Sequence, residues 1–388
     1  MIMQGSRSKL ANTGTTIFTV MSALAQEHNA INLSQGFPDF EPPDELLAAV
    51  TRHMRAGHNQ YAPMPGVPAL RNAIAGKIQR TLGSNVDGDT EITVTSGATA
   101  ALFTAIMAFV HPGDEVVIFD PAYDSYEPAI RLAGGIAVRI PLQRPAFSID
   151  WNRVANALTP KTRMIILNTP HNPSGSVLSA KDMEALRDLV RNTDILLLGD
   201  EVYEHIIFDG RQHQSLLLDP ELAARSLVVS SFGKTFHMTG WKIGYCVAPR
   251  ELMQEFRRVH QFSQFCVTSP MQWALAEFVE QFPEHYEGLG SFYAAKRDRF
   301  AALLEGSRFA ITPSAGTYFQ LADYSAISDM PDTEFTRWLT IEKGVAAIPV
   351  SVFYEHPEQV QNTGKLIRFC FAKNDSTLGK AAEILCAI

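Results

Sequence analysis

The sequence predicts an α/β protein organised around a mostly parallel sheet, and two observations carry that expectation. From Glu91 onward short apolar runs recur: Ile92-Thr-Val-Thr, Glu115-Val-Val-Ile-Phe, Met164-Ile-Ile-Leu, Ile195-Leu-Leu-Leu, Leu227-Val-Val-Ser and Ile243-Gly-Tyr-Cys-Val. They are nearly continuous in Val, Ile and Leu rather than alternating with polar residues, the pattern of strands covered on both faces. Segments of helical spacing, such as Ala98 to Val110 and Lys181 to Arg191, separate most of the runs, as α/β architecture requires.

The elements follow in chain order. Residues 1–30 begin polar and turn amphipathic over Ile17 to Ala25, which predicts a helix. Asn32 to Phe40 is a loop punctuated by Gly36 and Pro38, and Pro42-Pro43 introduces a helix from about Asp44 to Ala56. The irregular stretch Asn59 to Gly66 leads to a helix from about Pro68 to Leu82. After the alternating region and a helix around Met271 to Glu280, Gln281 to Gly290 reads as a joint. The remainder, with strand-like Thr317-Tyr-Phe-Gln-Leu and Leu366-Ile-Arg-Phe-Cys-Phe, reads as a smaller α+β domain. The expected division is a large domain over 39–284 and a small one made of 1–38 and 285–388.

Composition excludes several classes. A chain of 388 residues with 46% apolar and 19% charged residues can bury a substantial core. Its net charge of −8 and the lack of a Lys/Arg-rich block argue against nucleic acid and against an anionic membrane surface. The longest apolar run, Ala100 to Val110, is far short of the ~20 residues a membrane span needs. No secretory leader is apparent, and the four scattered cysteines form neither CxxC pairs nor a disulfide framework, so a soluble cytoplasmic protein is expected. The cysteines read as buried small hydrophobes. The histidines lack metal-ligand spacing; His171, His205 and His237 read as supporting or surface groups, and no metal is expected.

Polar residues stand where the runs end. Ile92 to Thr95 leads into Ser96-Gly97-Ala98-Thr99, Glu115 to Phe119 into Asp120-Pro-Ala-Tyr123, and Met164 to Leu167 into Asn168-Thr-Pro-His-Asn172. Ile195 to Leu198 leads into Gly199-Asp200-Glu-Val-Tyr203, and Leu227 to Ser230 into Ser231 and Lys234. Read as five adjacent strands, these deliver one polar set to the sheet edge where α/β ligands bind.

Each member suits a phosphorylated pyridine aldehyde. Gly97, Ala98 and Thr99 open a helix whose free N–H groups favour a phosphate, with Lys242 and Ser231 adding a charge and a hydroxyl. Tyr123 can stack on a flat ring, Asn172 and Tyr203 can hydrogen-bond a phenolate oxygen, and a buried Asp200 can keep the pyridine nitrogen protonated. Lys234, at the end of a buried strand, is the candidate amine nucleophile for a Schiff base.

Asn168-Thr-Pro-His-Asn-Pro-Ser-Gly, Asp200-Glu-Val-Tyr, and Ser231-Phe-Gly-Lys-Thr followed by Gly240-Trp-Lys-Ile-Gly-Tyr resemble the class I/II pyridoxal-phosphate aminotransferases of fold type I. The resemblance runs from about Asn32 to the C-terminus. It implies a seven-stranded, mostly parallel sheet flanked by helices. It implies Lys234 as the Schiff-base lysine and proton shuttle, Asp200 at the pyridine nitrogen, and Tyr203 and Asn172 at the phenolate oxygen. It also implies Arg368, whose planar guanidinium pairs bidentately with a carboxylate, as the substrate α-carboxylate site, with Gly36 beside the substrate. Tyr61 is expected to reach the phosphate in a neighbouring subunit, hence a homodimer with shared active sites. Many relatives carry Arg where this chain has Lys242; the kynurenine, glutamine and methionine aminotransferase subgroup resembles this chain in having Lys there, and Thr15-Thr-Ile-Phe-Thr and Gly36-Phe-Pro-Asp-Phe resemble the bacterial methionine aminotransferases.

Dicarboxylate-specific relatives place a second Arg in the stretch that here reads His260-Gln-Phe-Ser-Gln-Phe-Cys-Val-Thr. Phe262 and Phe265 occupy it instead, and Phe18 and Tyr61 are expected to line the side-chain pocket by analogy. The expected donors are therefore methionine or another neutral apolar or aromatic amino acid, and the acceptor a 2-oxo acid. Two alternatives stand beside this reading: a kynurenine or glutamine aminotransferase with cysteine-S-conjugate β-lyase activity, and a non-catalytic sensor on the same fold. The chain starts almost directly on the aminotransferase pattern, which leaves no room for a DNA-binding module and ranks the sensor last.

Overall fold

The computed structural model describes residues 8–11, 13–357 and 364–388. Its central sheet has seven strands: β1 (Ile92–Thr95), β2 (Glu115–Asp120), β3 (Ile136–Pro141), β4 (Thr162–Asn168), β5 (Leu196–Asp200), β6 (Ser226–Ser231) and β7 (Gly244–Val247). Their spatial order is β1-β7-β6-β5-β4-β2-β3. Strand β7 is antiparallel to both neighbours and the other pairings are parallel. The expected mostly parallel sheet is present.

Why the runs are continuously apolar is visible in the packing. Val117, Ile165, Leu197 and Val228 turn to one side, into a core closed by helices Pro68–Leu82 and Ser269–Gln281. Val116, Met164, Ile166, Leu198 and Val229 turn to the other, beneath helices Ala98–Phe109 and Arg250–Ser263. Each such side chain stabilises the fold by ~1.5–3 kcal/mol on burial, so neither face can take polar residues cheaply. Strand β3 differs: it is the sheet's edge, Ile136 is 51% exposed and Arg139 interrupts it. It therefore carries no continuous apolar run.

The five strands that deliver polar residues are not all adjacent. Strand β7 inserts between β1 and β6. Running against them, it brings its beginning to the edge where they end, so that Gly244 pairs with both Thr95 and Ser231. Lys242 arrives there by that route.

A second, antiparallel sheet holds Ile348–Pro349, Leu366–Cys370, Phe319–Asp323 and Ala310–Ile311, in that order. It has its own core, which includes Leu33, Phe335, Phe369 and Leu378. Ile31–Asn32 pairs in parallel with Val345–Ala346, which fastens the N-terminal segment to the C-terminal part. Residues 281–290 are more ordered than a joint: they form helix Pro283–Glu287, which runs almost directly into helix Leu289–Leu303.

Cys246 and Cys370 are buried as expected, but Cys266, just after the surface aromatic Phe265, is partly exposed, and Cys386, at the end of the last helix, is exposed. His171 is buried, and His205 is half-buried with its ring against the Lys77 amine at 2.9 Å. Among the described residues no helix is long and apolar enough to cross a membrane.

Candidate active site

Ala98, Thr99, Tyr123, Asn172, Asp200, Tyr203, Ser231, Lys234 and Lys242 line one cavity at the sheet edge. The polar strand ends thus converge as the sequence predicts.

At one end of the cavity is the start of helix Ala98–Phe109. Its N-cap, Gly97, has φ 78°, a left-handed backbone region that strains any residue with a Cβ. A Cβ there would lie 3.3 Å from Lys242 Cε and 3.4 Å from its Nζ, so the ammonium sits against the helix start. Gly244 is as constrained: its Cβ would lie 2.9 Å from the Ala98 nitrogen. The Ser96 amide donates to Gln264 Oε1 at 3.0 Å, which ties this loop to the end of helix Arg250–Ser263. A helix start beside a lysine is a site for a dianion.

Asp200 ends β5 and is 4% exposed. Its Oδ2 accepts a 2.6 Å hydrogen bond from the Tyr126 hydroxyl, while buried Oδ1 has no partner among the described residues. Burial raises the carboxyl to about 6, against the Tyr126 and Val202 hydrogen bonds and the Lys234 charge, which lower it. The Asn168 side chain donates to the Asp200 carbonyl at 2.9 Å, fixing the two strand ends together. Tyr123 is half-buried and crosses Tyr126 edge-on at 5.6 Å; burial first, then Asp124, raises its hydroxyl to about 12.

Lys234 lies in the short helix Phe232–Thr235 that follows β6. Its Nζ donates to the Tyr318 hydroxyl at 2.9 Å and to the Gly36 carbonyl at 3.2 Å. Burial is the main reason its ammonium falls to about 8; Lys242 and Arg368 add to the fall, while Cys370 and Asp200 oppose it. Tyr203, 3% exposed, packs edge-on to Tyr318 at 5.1 Å, and burial pushes its hydroxyl well above the usual range. It remains a proton donor.

Arg368 is fully buried in the strand Leu366–Cys370. It donates to Asn172 Oδ1 at 2.6 Å and to the Ser34 carbonyl at 3.0 Å, and its guanidinium lies 3.8 Å from the Phe319 ring centroid and 5.3 Å from that of Phe18. Its Nε has no partner, and no ion pair to a carboxylate forms among the described residues. A buried cation held only by neutral groups is a site for an incoming anion.

Two expected residues lie elsewhere in the chain. Tyr61 is 83% exposed and Phe265, with φ 66°, is 40% exposed; their rings meet edge-on at 5.3 Å on the surface rather than in the cavity. Three residues that touch the site are not marked by the strand-end pattern: Tyr126, Tyr318 and Ser34. Tyr126 opens helix Tyr126–Leu132 three residues after Tyr123, close enough in sequence to reach the same edge; Tyr318 and Ser34 are contacts across the whole chain.

Comparison with known proteins agrees with this geometry. The Aminotransferase class I and II family profile matches residues 28–385. The chain is 55% identical to the methionine aminotransferase of Escherichia coli (strain K12), covering 98% of this chain and 97% of that one. It is 39% identical to a probable N-succinyldiaminopimelate aminotransferase of Mycobacterium tuberculosis (strain H37Rv), with 97% of each covered. A crystal structure of YbdL from Escherichia coli, which identifies a methionine aminotransferase function for that protein, superposes with a TM-score of 0.96 at 54% identity over 99% of both chains. With the family's pattern spanning nearly the whole chain and its fold reproduced, this chain belongs to the class I and II aminotransferases, enzymes that move amino groups between amino acids and 2-oxo acids.

Proposed function

We propose that the cavity holds pyridoxal phosphate and that the chain transfers the amino group of methionine, or of another neutral apolar or aromatic amino acid, to a 2-oxo acid. The observation that carries this reading is Asp200 Oδ1, buried in the cavity that Lys234 also lines and without a partner among the described residues. A cationic ring N–H at that place satisfies the oxygen and allows the carboxyl to ionise. When bound, the cofactor supplies an electron sink for charge developing at the substrate's α-carbon.

The residues fit such a group. Gly97, Ala98, Thr99, Ser231 and Lys242 would receive its phosphate, and Tyr123 would pack against its ring. Asn172 gives its Oδ1 to Arg368, which leaves its amide N–H and the Tyr203 hydroxyl to donate to the phenolate oxygen. Arg368 takes the α-carboxylate, with Gly36 beside it. Lys234, with its ammonium brought to about 8, is neutral in roughly a tenth of molecules at pH 7, far more than an ordinary lysine. As the free amine it would take up the proton released from the substrate's Cα. We assign 39–284 as the cofactor-binding domain and 1–38 with 285–388 as the small one; the second core is drawn mostly from the latter stretches, with Val202, Tyr203, Ile206 and Phe208 reaching into it from the former.

Beyond Arg368 the adjoining pocket is walled by Ile17, Phe18, Phe103 and Phe353. An apolar wall favours uncharged side chains, and the likeness to the Escherichia coli enzyme supports methionine among them. The exposed aromatics Tyr61, Phe262 and Phe265 support a homodimer in which Tyr61 reaches the partner's cofactor phosphate and Phe265 the partner's substrate pocket. Free cysteines and an acidic surface fit a cytoplasmic location.

A panel of donors assayed with the holoenzyme and several 2-oxo acids tests the substrate class. Methionine and phenylalanine are expected to exceed aspartate by roughly 100-fold or more in kcat/KM. Equal use of aspartate would overturn it. Pyruvate and thiol from a cysteine S-conjugate without added 2-oxo acid would favour the β-elimination alternative.

A further inference from the structure

We propose that Tyr318 is a positioning residue that holds the free amine of Lys234 between the cofactor cavity and the carboxylate-binding arginine. The inference rests on Lys234 being the amine that serves the reaction.

Tyr318 is fully buried and sits where the Thr317 backbone turns left-handed, at φ 63°. Its hydroxyl donates to the Gly36 carbonyl at 2.6 Å. The hydroxyl hydrogen being used there, a lone pair faces Lys234 Nζ at 2.9 Å, and the Gly36 oxygen receives the same amine at 3.2 Å. Two acceptor oxygens therefore hold the amine, and neither can carry a full negative charge: one is a carbonyl, the other a hydroxyl that burial raises well above its usual range.

The three groups come from three parts of the chain, so their meeting depends on the tertiary fold. Gly36 lies in the N-terminal loop, Lys234 follows β6, and Tyr318 immediately precedes the strand Phe319–Asp323. Each is fixed from behind. Any Cβ on Gly36 would stand 2.6 Å from Phe319 Cζ, so the carbonyl approaches this closely only from a glycine. The Tyr318 ring is held by Tyr203, Tyr293 and Phe319, with centroids 5.1, 5.6 and 5.0 Å away. Phe319 in turn carries the Arg368 guanidinium on its face. Tyr318 and Phe319 thus set the amine and the arginine from adjacent positions of one backbone. When not bonded to the cofactor, the amine rests on these oxygens instead of sampling the cavity, which shortens its return to the reacting carbon.

Removal of the hydroxyl has a definite sign. Lys242 and Arg368 press the amine toward its neutral form, Asp200 and Cys370 favour the ammonium, and Tyr203 and Tyr318 surround it as neutral hydroxyls. Taking away one acceptor weakens the ammonium further. In Tyr318→Phe the pH midpoint for modification of Lys234 by an amine-selective reagent, read by peptide mass on the full-length chain stripped of cofactor, is expected to fall by roughly one unit. In the holoenzyme kcat is expected to fall about 10-fold while KM for methionine stays within 2-fold. A purely structural role would shift the unfolding temperature and KM but leave the labelling midpoint in place. An unchanged midpoint would overturn the proposal whether or not kcat falls. Should Tyr318→Phe fail to fold, replacing Tyr318 by 3-fluorotyrosine keeps the ring and weakens the acceptor, and the midpoint is expected to move the same way. Borohydride reduction of the holoenzyme followed by peptide mapping separates the two readings. Cofactor fixed to a residue other than Lys234 would end the underlying assignment; cofactor fixed to Lys234 with an unmoved midpoint would end the role of Tyr318 alone.

Discussion

At Asp200 a carboxyl keeps its proton to about pH 6 because it lies buried with only one oxygen hydrogen-bonded. The unfolded chain releases that proton near 3.8. The folded state therefore binds the proton more tightly, and this contribution to stability is full below pH 3.8 and lost as pH rises through 6. Asp200→Asn removes the ionisation. It is expected to stabilise the cofactor-free chain by ~1–3 kcal/mol at pH 7, an advantage that narrows toward pH 5, while lowering transamination at least ~100-fold. Denaturant unfolding at the two pH values, with a rate assay, reads both. Equal stability at pH 7 would show that the carboxyl is not strained by its surroundings.

The helix Ala98–Phe109 and strand β7 act as a pair, because Gly97 and Gly244 let Lys242 and the helix start approach each other. Gly97→Ala puts a Cβ on a left-handed residue and against Lys242 Cε. It is expected to cost ~1–2 kcal/mol of stability and, by displacing the ammonium, to raise the Kd for pyridoxal phosphate about 10-fold. Titration of the cofactor's absorbance against the stripped chain measures this; an unchanged Kd would contradict the phosphate assignment. Elements of this kind were legible wherever burial acts on both faces of a strand: β1, β4, β5 and β6 were read within two residues of their observed ends. Strand β3 was missed because an edge strand with one polar interruption has no such pattern. The adjacency of the five polar strands was misread because nothing local marks β7 as antiparallel or places it between β1 and β6.

Across the whole molecule, several histidines are buried neutral. Burial lowers His171 and His260 to about 4 and His205 and His237 to about 3. Unfolded histidines gain protons near 6.5 that these do not, so the stability they contribute is present above 6.5 and lost as pH falls toward 4. Asp200, with Asp124 and Asp332, works the other way. The net expectation is an unfolding free energy that falls by roughly 2–4 kcal/mol per pH unit between pH 6.5 and 4.5, checked by denaturant unfolding across that range. A flat profile would mean that the histidines are not held neutral.

The same scale explains what the sequence could reveal about the site. Lys234, Asp200, Asn172 and Tyr203 follow strands that declare themselves, so their convergence could be foreseen. Tyr318 meets Gly36 across 282 positions, and Ser34 meets Arg368 across 334. No local pattern encodes such contacts; they arise only when the N-terminal segment folds onto the C-terminal part. Tyr61 and Phe265 remain on the surface of the single chain, where a second copy can reach them.

The central claim is that Lys234 serves amino-group transfer from a neutral amino acid. It is tested most directly by the rate at which wild-type and Lys234→Ala proteins, both supplied with pyridoxal phosphate, convert methionine and a 2-oxo acid to the exchanged pair. Turnover by the wild type and none detectable in the variant is the predicted result. A Lys234→Ala protein that transfers the amino group at close to the wild-type rate would contradict it.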